Sequence, residues 1–347
     1  MHYMGVDHHR QYSQMAVLDE EGRLVRTARV ANLRREIKPF LDGLDEIRAV
    51  IETGRATYAM VDLLEDLGVE MTIANPTQVR AIAQAKIKTD KRDARILADL
   101  LRAGLIPAVY QRSRTNRDRQ QVLRQRMFYV RMQTMIRNRV SALMARQDES
   151  VQMEIGCLKD LFTRKSREVL RGLRLAEPDR SLLDGLLQTH DHLTEKIGES
   201  NVMVRGLYRE MDEAKRVSTV PGFGVFFSVL VTTEIADIKR FAGPGKLHAY
   251  AGLVPSTHAS GERMYHGKII RAGNPWLRWA AIEAAWTAIK HDFDLQLRFE
   301  RMARRKTRSS AAVATARRLL TIIYKILKEN RTYIPYLRNE SAAFKHS

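Results

Sequence analysis

The first hundred residues alternate between short apolar runs and amphipathic stretches in an order that admits few folds. Tyr3–Asp7, Ser13–Leu18 and Leu24–Val30 read as three strands of an antiparallel meander, with Glu20-Glu21-Gly22 as a turn. Helix is expected near Arg34–Leu44, followed by a buried strand, Ile47–Glu52, with Val50 and Ile51 at its centre. Thr57–Leu67 has helical spacing and stops at Gly68, Val69–Ala74 is strand again, and Asp90–Ala103 is a helix ended by Gly104. A mixed sheet flanked by helices follows from that order.

Acids stand at particular points of this pattern. Asp7 and Glu52 end runs that should be buried, where a bare carboxylate is costly. Asp90 and Asp93 lie three apart in Lys88-Thr89-Asp90-Lys91-Arg92-Asp93-Ala94, on one face of a helix near its N-terminal end, where the helix dipole favours negative charge. Any one of them alone would read as a cap or a solvated charge. As a set on two strands and a helix they can gather around divalent metal, because hard cations such as Mg²⁺ (or Mn²⁺) take oxygen ligands. Two such ions together can cut a phosphodiester. Acids on the first strand, the fourth strand and a late helix are the layout of an RNase H-like domain.

Charge names the partner class. The 347 residues carry a formal net charge of +19, well beyond what solubility needs, which points to a polyanion and most directly to nucleic acid. There is no run of eighteen apolar residues and the N-terminus lacks the pattern of a signal peptide, so a cytoplasmic protein without a membrane partner is expected. The single cysteine, Cys157, can form no internal disulfide, is far from any zinc-type spacing, and reads as an ordinary small apolar residue.

From about Arg112 to Val217 the pattern changes to long helices. Arginines 112, 114, 117, 119, 124, 126, 131, 137, 139 and 146 accompany an apolar stripe of Val122, Tyr129, Ile136, Val140 and Leu143. Such a helix can pack on one side and grip phosphates on the other, since the planar guanidinium pairs phosphate oxygens bidentately. A merely solvated basic face is the plainer reading. Further on, Leu183, Leu186, His190, Leu193, Ile197, Ser200, Val204, Leu207 and Met211 alternate spacings of three and four, a coiled-coil seam. That seam suits self-association, or packing on the preceding helix of the same chain.

The last third opens on Val220-Pro221-Gly222-Phe223-Gly224, a turn whose glycines Gly222 and Gly224 can present bare amides to a phosphate or simply meet backbone angles. A loop runs from Ala249 through Ser260-Gly261 to Asn274 and is ringed by Arg263, His266, Lys268 and Arg271, a setting in which a hydroxyl could meet a phosphate. Judged by its neighbours alone, Ser260 is a turn serine. Trp276, Trp279 and Trp286 follow on a helix at helical spacing and are expected in the core. Arg301, Arg304, Arg305, Lys306 and Arg308 form a last basic cluster.

Gly5-Val6-Asp7, Ile51-Glu52-Thr53-Gly54, the Lys88–Ala94 stretch, Val220–Gly224, Ala251-Gly252-Leu253-Val254-Pro255, Ser260-Gly261 and Ala272-Gly273-Asn274, in that order over nearly the whole chain, resemble the IS110-type transposases. The resemblance implies a RuvC-like DEDD domain over residues 1–110, a basic helix and coiled-coil connector over 111–215, and a mostly helical transposase domain over 216–347. It implies metal at Asp7, Glu52, Asp90 and Asp93 and a serine nucleophile at Ser260, which would attack a DNA phosphate and hold the strand as a phosphoserine. It also implies a homo-oligomer and a structured RNA, encoded by the element, that selects donor and target DNA by base pairing. The nucleic-acid grip is then expected from Arg117, Arg124, Arg131, Gly222, Gly224, Arg263, Lys268, Arg271, Asn274, Arg304 and Arg305. Ala259 stands where the family often has a second serine, which keeps Ser256 as an alternative nucleophile. A RuvC-like metal-dependent endonuclease, with no covalent intermediate, is the other reading.

Overall fold

A computed structural model describes residues 1–54, 56–83, 89–260, 263–269 and 273–335. The chain forms two compact units, Met1–Arg112 and Ser113–Ser347. The boundary expected near residue 215 falls inside the second of them.

In the first unit, β1 (His2–His8), β2 (Tyr12–Leu18) and β3 (Leu24–Ala31) form the expected meander, followed by α1 (Arg34–Leu41) and β4 (Ile47–Glu52). Next come α2 (Thr57–Glu65), β5 (Glu70–Ala74), α3 (Pro76–Ile82), α4 (Asp90–Arg102) and the short β6 (Ala108–Val109). The sheet order is β3-β2-β1-β4-β5-β6: β1, β4 and β5 run parallel, and β2, β3 and β6 are antiparallel to their neighbours. Alternation along each strand sends successive side chains to opposite faces. Met4 and Val6 of β1 therefore join Ala49 and Ile51 of β4 in a core closed by Ile37, Met60 and Leu64 of α1 and α2. Val50 and Ala74 face the other way, onto Leu97 of α4. The strand β6 and the helix α3, whose N-cap Asn75 accepts from the amides of Thr77 and Gln78, were not foreseen.

Among the described residues, the second unit is helical apart from one hairpin. Its first part is an antiparallel pair of 32-residue helices, α5 (Arg114–Ala145) and α8 (Asp179–Glu210), with α6 (Glu149–Ile155) and α7 (Arg164–Gly172) between them in sequence. Arg126 donates to Asn201 and Gln133 to Thr194, while Arg146 pairs with Asp179, so the two helices run in opposite directions along their full length. The seam Leu183, His190, Leu193, Ser200 and Val204 is buried within this chain, chiefly by α5. The stripe thus finds its partner within the chain and by itself asks for no second copy. Cys157, read as an ordinary small apolar residue, is exposed.

The remaining elements are α9 (Asp212–Val217), α10 (Val225–Ile235), a short 3-10 helix (Ile238–Arg240), α11 (Pro244–Tyr250), β7 (Pro255–Ser260), β8 (Arg263–Ile269), α12 (Pro275–His291), α13 (Phe293–Ala303) and α14 (Arg308–Glu329). Five buried alanines of α12 (280, 281, 284, 285 and 288) let neighbouring backbone come close. A Cβ on Gly222, where φ is +90°, would lie 2.3 Å from the carbonyl oxygen of Ala284. Gly222 is therefore required for packing, whatever else it does. Trp276 and Trp279 pack against the main core and Trp286 against Phe299, as expected of core tryptophans.

His190 is buried near the far end of the helix pair, with its ring 4.5 Å from Phe162 and its Nδ1 3.0 Å from Nη1 of Arg167. Burial, then the Arg167 charge, hold its pKa below the ordinary histidine value. Burial lowers His248 likewise. A depressed folded-state pKa means the unfolded chain takes the proton first. The contribution is complete above the unfolded value of about 6.5 and is lost as pH falls below it toward the folded value. The thermal midpoint of the second unit is expected to fall between pH 7.5 and 5.5, and less steeply in His190→Gln; equal slopes by calorimetry would exclude His190 as a source.

Candidate functional site

The acidic site is built by two packing facts. Val6 of β1 lies beside Ile51 of the parallel strand β4, so Asp7 and Glu52 come at adjacent strand ends. Gly5, two residues before Asp7 and on its face of the sheet, meets the backbone of α4: a Cβ there would lie 1.9 Å from the carbonyl oxygen of Ala94 and 2.7 Å from the amide of Ala98. The bare glycine lets α4 descend until its first turn, with Asp90 and Asp93, reaches Asp7. Gly5→Ala is expected to force strand and helix apart, costing about 1–3 kcal/mol as overpacking does and misplacing both aspartates. Thermal unfolding together with divalent-ion binding checks this, and native values for both would refute it.

Within the site, Asp7 is half-buried and its carboxyl pKa is raised. Burial is the main cause, opposed by His9, and Asp90 and Asp93 push the same way as burial. Three carboxylates thus crowd one place, and a cation there would relieve both desolvation and repulsion. His9 adds a nitrogen: its Nε2 lies 3.3 Å from Oδ2 of Asp7 and 3.3 Å from Oδ2 of Asp90. Among the described residues, Asp7, His9 and Asp90 are the group of three whose donor atoms all lie within 4.8 Å of one another. Asp93 and Glu52 stand outside that group. Thr57 Oγ1 fixes the turn after β4 by donating to the Glu52 carbonyl (3.0 Å) and accepting from the Gly54 amide (2.6 Å).

A divalent metal fits this donor set, with two carboxylates and an imidazole gathered at the end of a rigid sheet. His9 was missed in the sequence. Its signal was the pair His8-His9 directly after the strand-ending Asp7.

In the second unit, the stretch read as a loop is a β-hairpin. Strands β7 and β8 pair antiparallel, with Ser260 opposite Arg263 at the turn end and Lys268 on the second strand. Mostly polar residues without clear alternation hid the strands from periodicity. Gly261 and Arg271, like Lys88 in the first unit, lie outside the described residues.

The expected nucleic-acid residues divide by what they already touch. Arg124 pairs with Glu234, which is 1% exposed, and lies 3.9 Å over the ring of Trp276. Asn274 donates to Glu234 (2.6 Å) and caps α12 by accepting from the amides of Trp276 and Leu277. Gln120 also donates to Glu234 (3.2 Å), so these side chains form the buried polar joint of the unit. Arg131 is exposed, 5.0 Å from the Trp276 ring centroid, Arg117 is half-buried on α5, and Gly224 is the open N-cap of α10. Arg304 and Arg305 line a cavity of about 730 Å³ between α13 and α14 with Arg298, Arg301, Lys306 and Arg318. Six cations on one concavity make it a strongly basic cleft.

Comparison with known proteins gives the family. Residues 4–147 match the IS110 DEDD model, described as a transposase, and residues 214–300 match the Transposase IS116/IS110/IS902 family. The protein named "Putative transposase y4qE" of Sinorhizobium fredii is 27% identical over 264 residues, 74% of this chain and 62% of that one. The transposase for insertion sequence element IS1111A of Coxiella burnetii is 24% identical over 336 residues, 95% of this chain and 90% of its own. The transposase for insertion sequence element IS1328 of Yersinia enterocolitica is 23% identical over 252 residues, 73% and 74% of the two chains. The two family matches and these relatives make the protein a DNA transposase. The chain belongs to the IS110 family.

Proposed function

We propose that the chain moves an IS110-type insertion sequence by cutting and rejoining DNA through a covalent serine intermediate, with a divalent ion at the acidic site. The meeting of Asp7 and Asp90, from a strand and a distant helix, is the observation that carries the reading. When bound, Mg²⁺ or Mn²⁺ would neutralise charge on the phosphate under attack. Asp7, Glu52, Asp90 and Asp93 hold it, and the packing of α4 on Gly5 keeps that cluster from spreading under its own repulsion.

Ser260, by its match to the family motif, is the nucleophile. Its Oγ forms a bond to phosphorus as the bond from phosphorus to the neighbouring sugar oxygen breaks, and the freed sugar hydroxyl leaves with a proton. Attack by a sugar hydroxyl on the phosphoserine reverses the step, so no outside energy source is needed. The basic cleft between α13 and α14 and the exposed Arg131 support a grip on phosphate backbone. A chain that grips backbone and carries no zinc finger suits a division of labour in which a structured RNA reads sequence by base pairing. We further propose a homo-oligomer in which the acidic unit of one copy serves the serine of another.

Ser260→Ala tests this. Wild type expressed with its native flanking DNA is expected to yield protein covalently attached to DNA on a denaturing gel, and Ser260→Ala none. An adduct that persists in Ser260→Ala and vanishes in Ser256→Ala would move the nucleophile. Cutting without any adduct, still dependent on Asp7, would leave a hydrolytic endonuclease.

A further inference from the structure

We propose that His9 is a nitrogen ligand of the ion at the acidic site, which makes that site a mixed nitrogen and oxygen set that prefers Mn²⁺ to Mg²⁺. The inference rests on the metal-site reading above and adds to it a residue and a selectivity.

The first observation is the placing of one nitrogen. Nε2 of His9 is buried and lies 3.3 Å from a carboxylate oxygen of Asp7 and the same distance from one of Asp90, without a well-aligned hydrogen bond to either. A histidine placed to hydrogen-bond one carboxylate would approach it in line; this one sits evenly between two. Around a six-coordinate ion with bonds of just over 2 Å, neighbouring donors stand about 3 Å apart. Both separations at His9 are close to that value.

The second observation is that the ring is held in place. His9 follows β1 directly, its amide donates to the carbonyl of Tyr12 (2.9 Å), and its own carbonyl accepts from Nδ2 of Asn32 (2.7 Å). Asn32 is in turn fixed by Ser13 Oγ, which donates to Oδ1 at 2.7 Å. The imidazole rests on the Tyr12 ring at 4.7 Å, and the Tyr12 hydroxyl donates to Oδ2 of Asp90 at 3.2 Å. One tyrosine thus supports both the nitrogen and an oxygen of the same donor set, the outer support that ligating groups commonly have.

Selectivity follows from donor type. Mg²⁺ strongly favours oxygen, whereas imidazole adds affinity for the first-row transition ions, and Mn²⁺ accepts both. The competing reading is that His9 only offsets the negative charge of the aspartates. In that case its removal would leave Mn²⁺ binding unchanged or tighter.

Pulsed electron paramagnetic resonance on the full-length protein loaded with Mn²⁺ separates the two, with no need of DNA or turnover. The wild type is expected to show nitrogen modulation from a directly bound imidazole. His9→Gln should lose it and bind Mn²⁺ at least about tenfold more weakly, the scale seen when metal sites lose even an outer partner, with a smaller change for Mg²⁺. Bound Mn²⁺ that depends on Asp7 but shows no nitrogen coupling in the wild type would overturn the role of His9 alone. Mn²⁺ binding unchanged in Asp7→Asn would overturn His9 and the metal site together. The coupling is read in wild type, so a folding defect in His9→Gln cannot decide the outcome.

Discussion

Asp7→Asn is expected to abolish DNA cleavage and at the same time to stabilise the metal-free protein. The two effects have one origin. Asp7 is held half-buried beside Asp90 and Asp93, and burial with their charges disfavours its ionised form. An amide of the same shape removes that unfavourable charge, so the metal-free midpoint should rise. The stabilisation that added Mn²⁺ or Mg²⁺ gives the wild type, which follows from preferential binding to the folded state, should shrink or vanish. Cleavage should fall by at least about 10² to 10³, the scale for removing one preorganised electrostatic group. Calorimetry with and without Mn²⁺ and a cleavage assay check the pair. A lowered metal-free midpoint would mean that the carboxylate has a structural partner outweighing the repulsion.

Arg124→Ala is expected to be among the most destabilising single changes in the second unit. It would take the Arg124 guanidinium from Glu234, 1% exposed, and breaking a buried ion pair from one side costs about 3–5 kcal/mol. Arg124 is itself 31% exposed, which places the effect near the low end, about 3 kcal/mol. For a unit of this size that lowers the midpoint by roughly 6–12 °C. Replacing both partners, as in Arg124→Met with Glu234→Met, should recover much of the loss, because no buried charge then remains. A double variant as unstable as the sum of the singles would show that Gln120 and Asn274, rather than the ion pair, dominate the joint. DNA affinity falling no more than stability does would identify Arg124 as structural rather than a phosphate contact.

What was legible beforehand follows a physical divide. The strands of the first unit announced themselves because each buries at least one face, so alternation and apolar content are fixed by the core. Asp7 and Glu52 stood out as acids ending such runs. His9 did not, since its role depends on α4, eighty residues later, meeting β1 at Gly5. The arginines of α5 were read by their sign alone. Their partners lie far along the chain: Glu234 for Arg124, Asn201 for Arg126, Asp160 for Arg137 and Asp179 for Arg146. Glu234 did leave a trace, as a lone acid in the apolar helix Val225–Ile235. An acid in that setting asks for a buried cation, though not for which one. The hairpin β7–β8 was invisible because its residues are mostly polar and do not alternate, and only pairing defines it as sheet.

The paired helices α5 and α8 have a consequence for spacing. At 1.5 Å per residue, 32 residues make an arm of about 48 Å. Its base joins the main core through Leu123 and Val204, and its tip carries a separate small core of Val140, Leu143, Leu170 and Leu183. The arm is thus a ruler with a phase as well as a length. Removing one residue from each helix would shorten it by about 1.5 Å but turn the tip by about 100°. Removing seven from each would shorten it by about 10 Å and leave the tip facing nearly the same way. Within this lineage, changes in arm length that come in sevens would preserve what the tip presents, and single-residue changes would not.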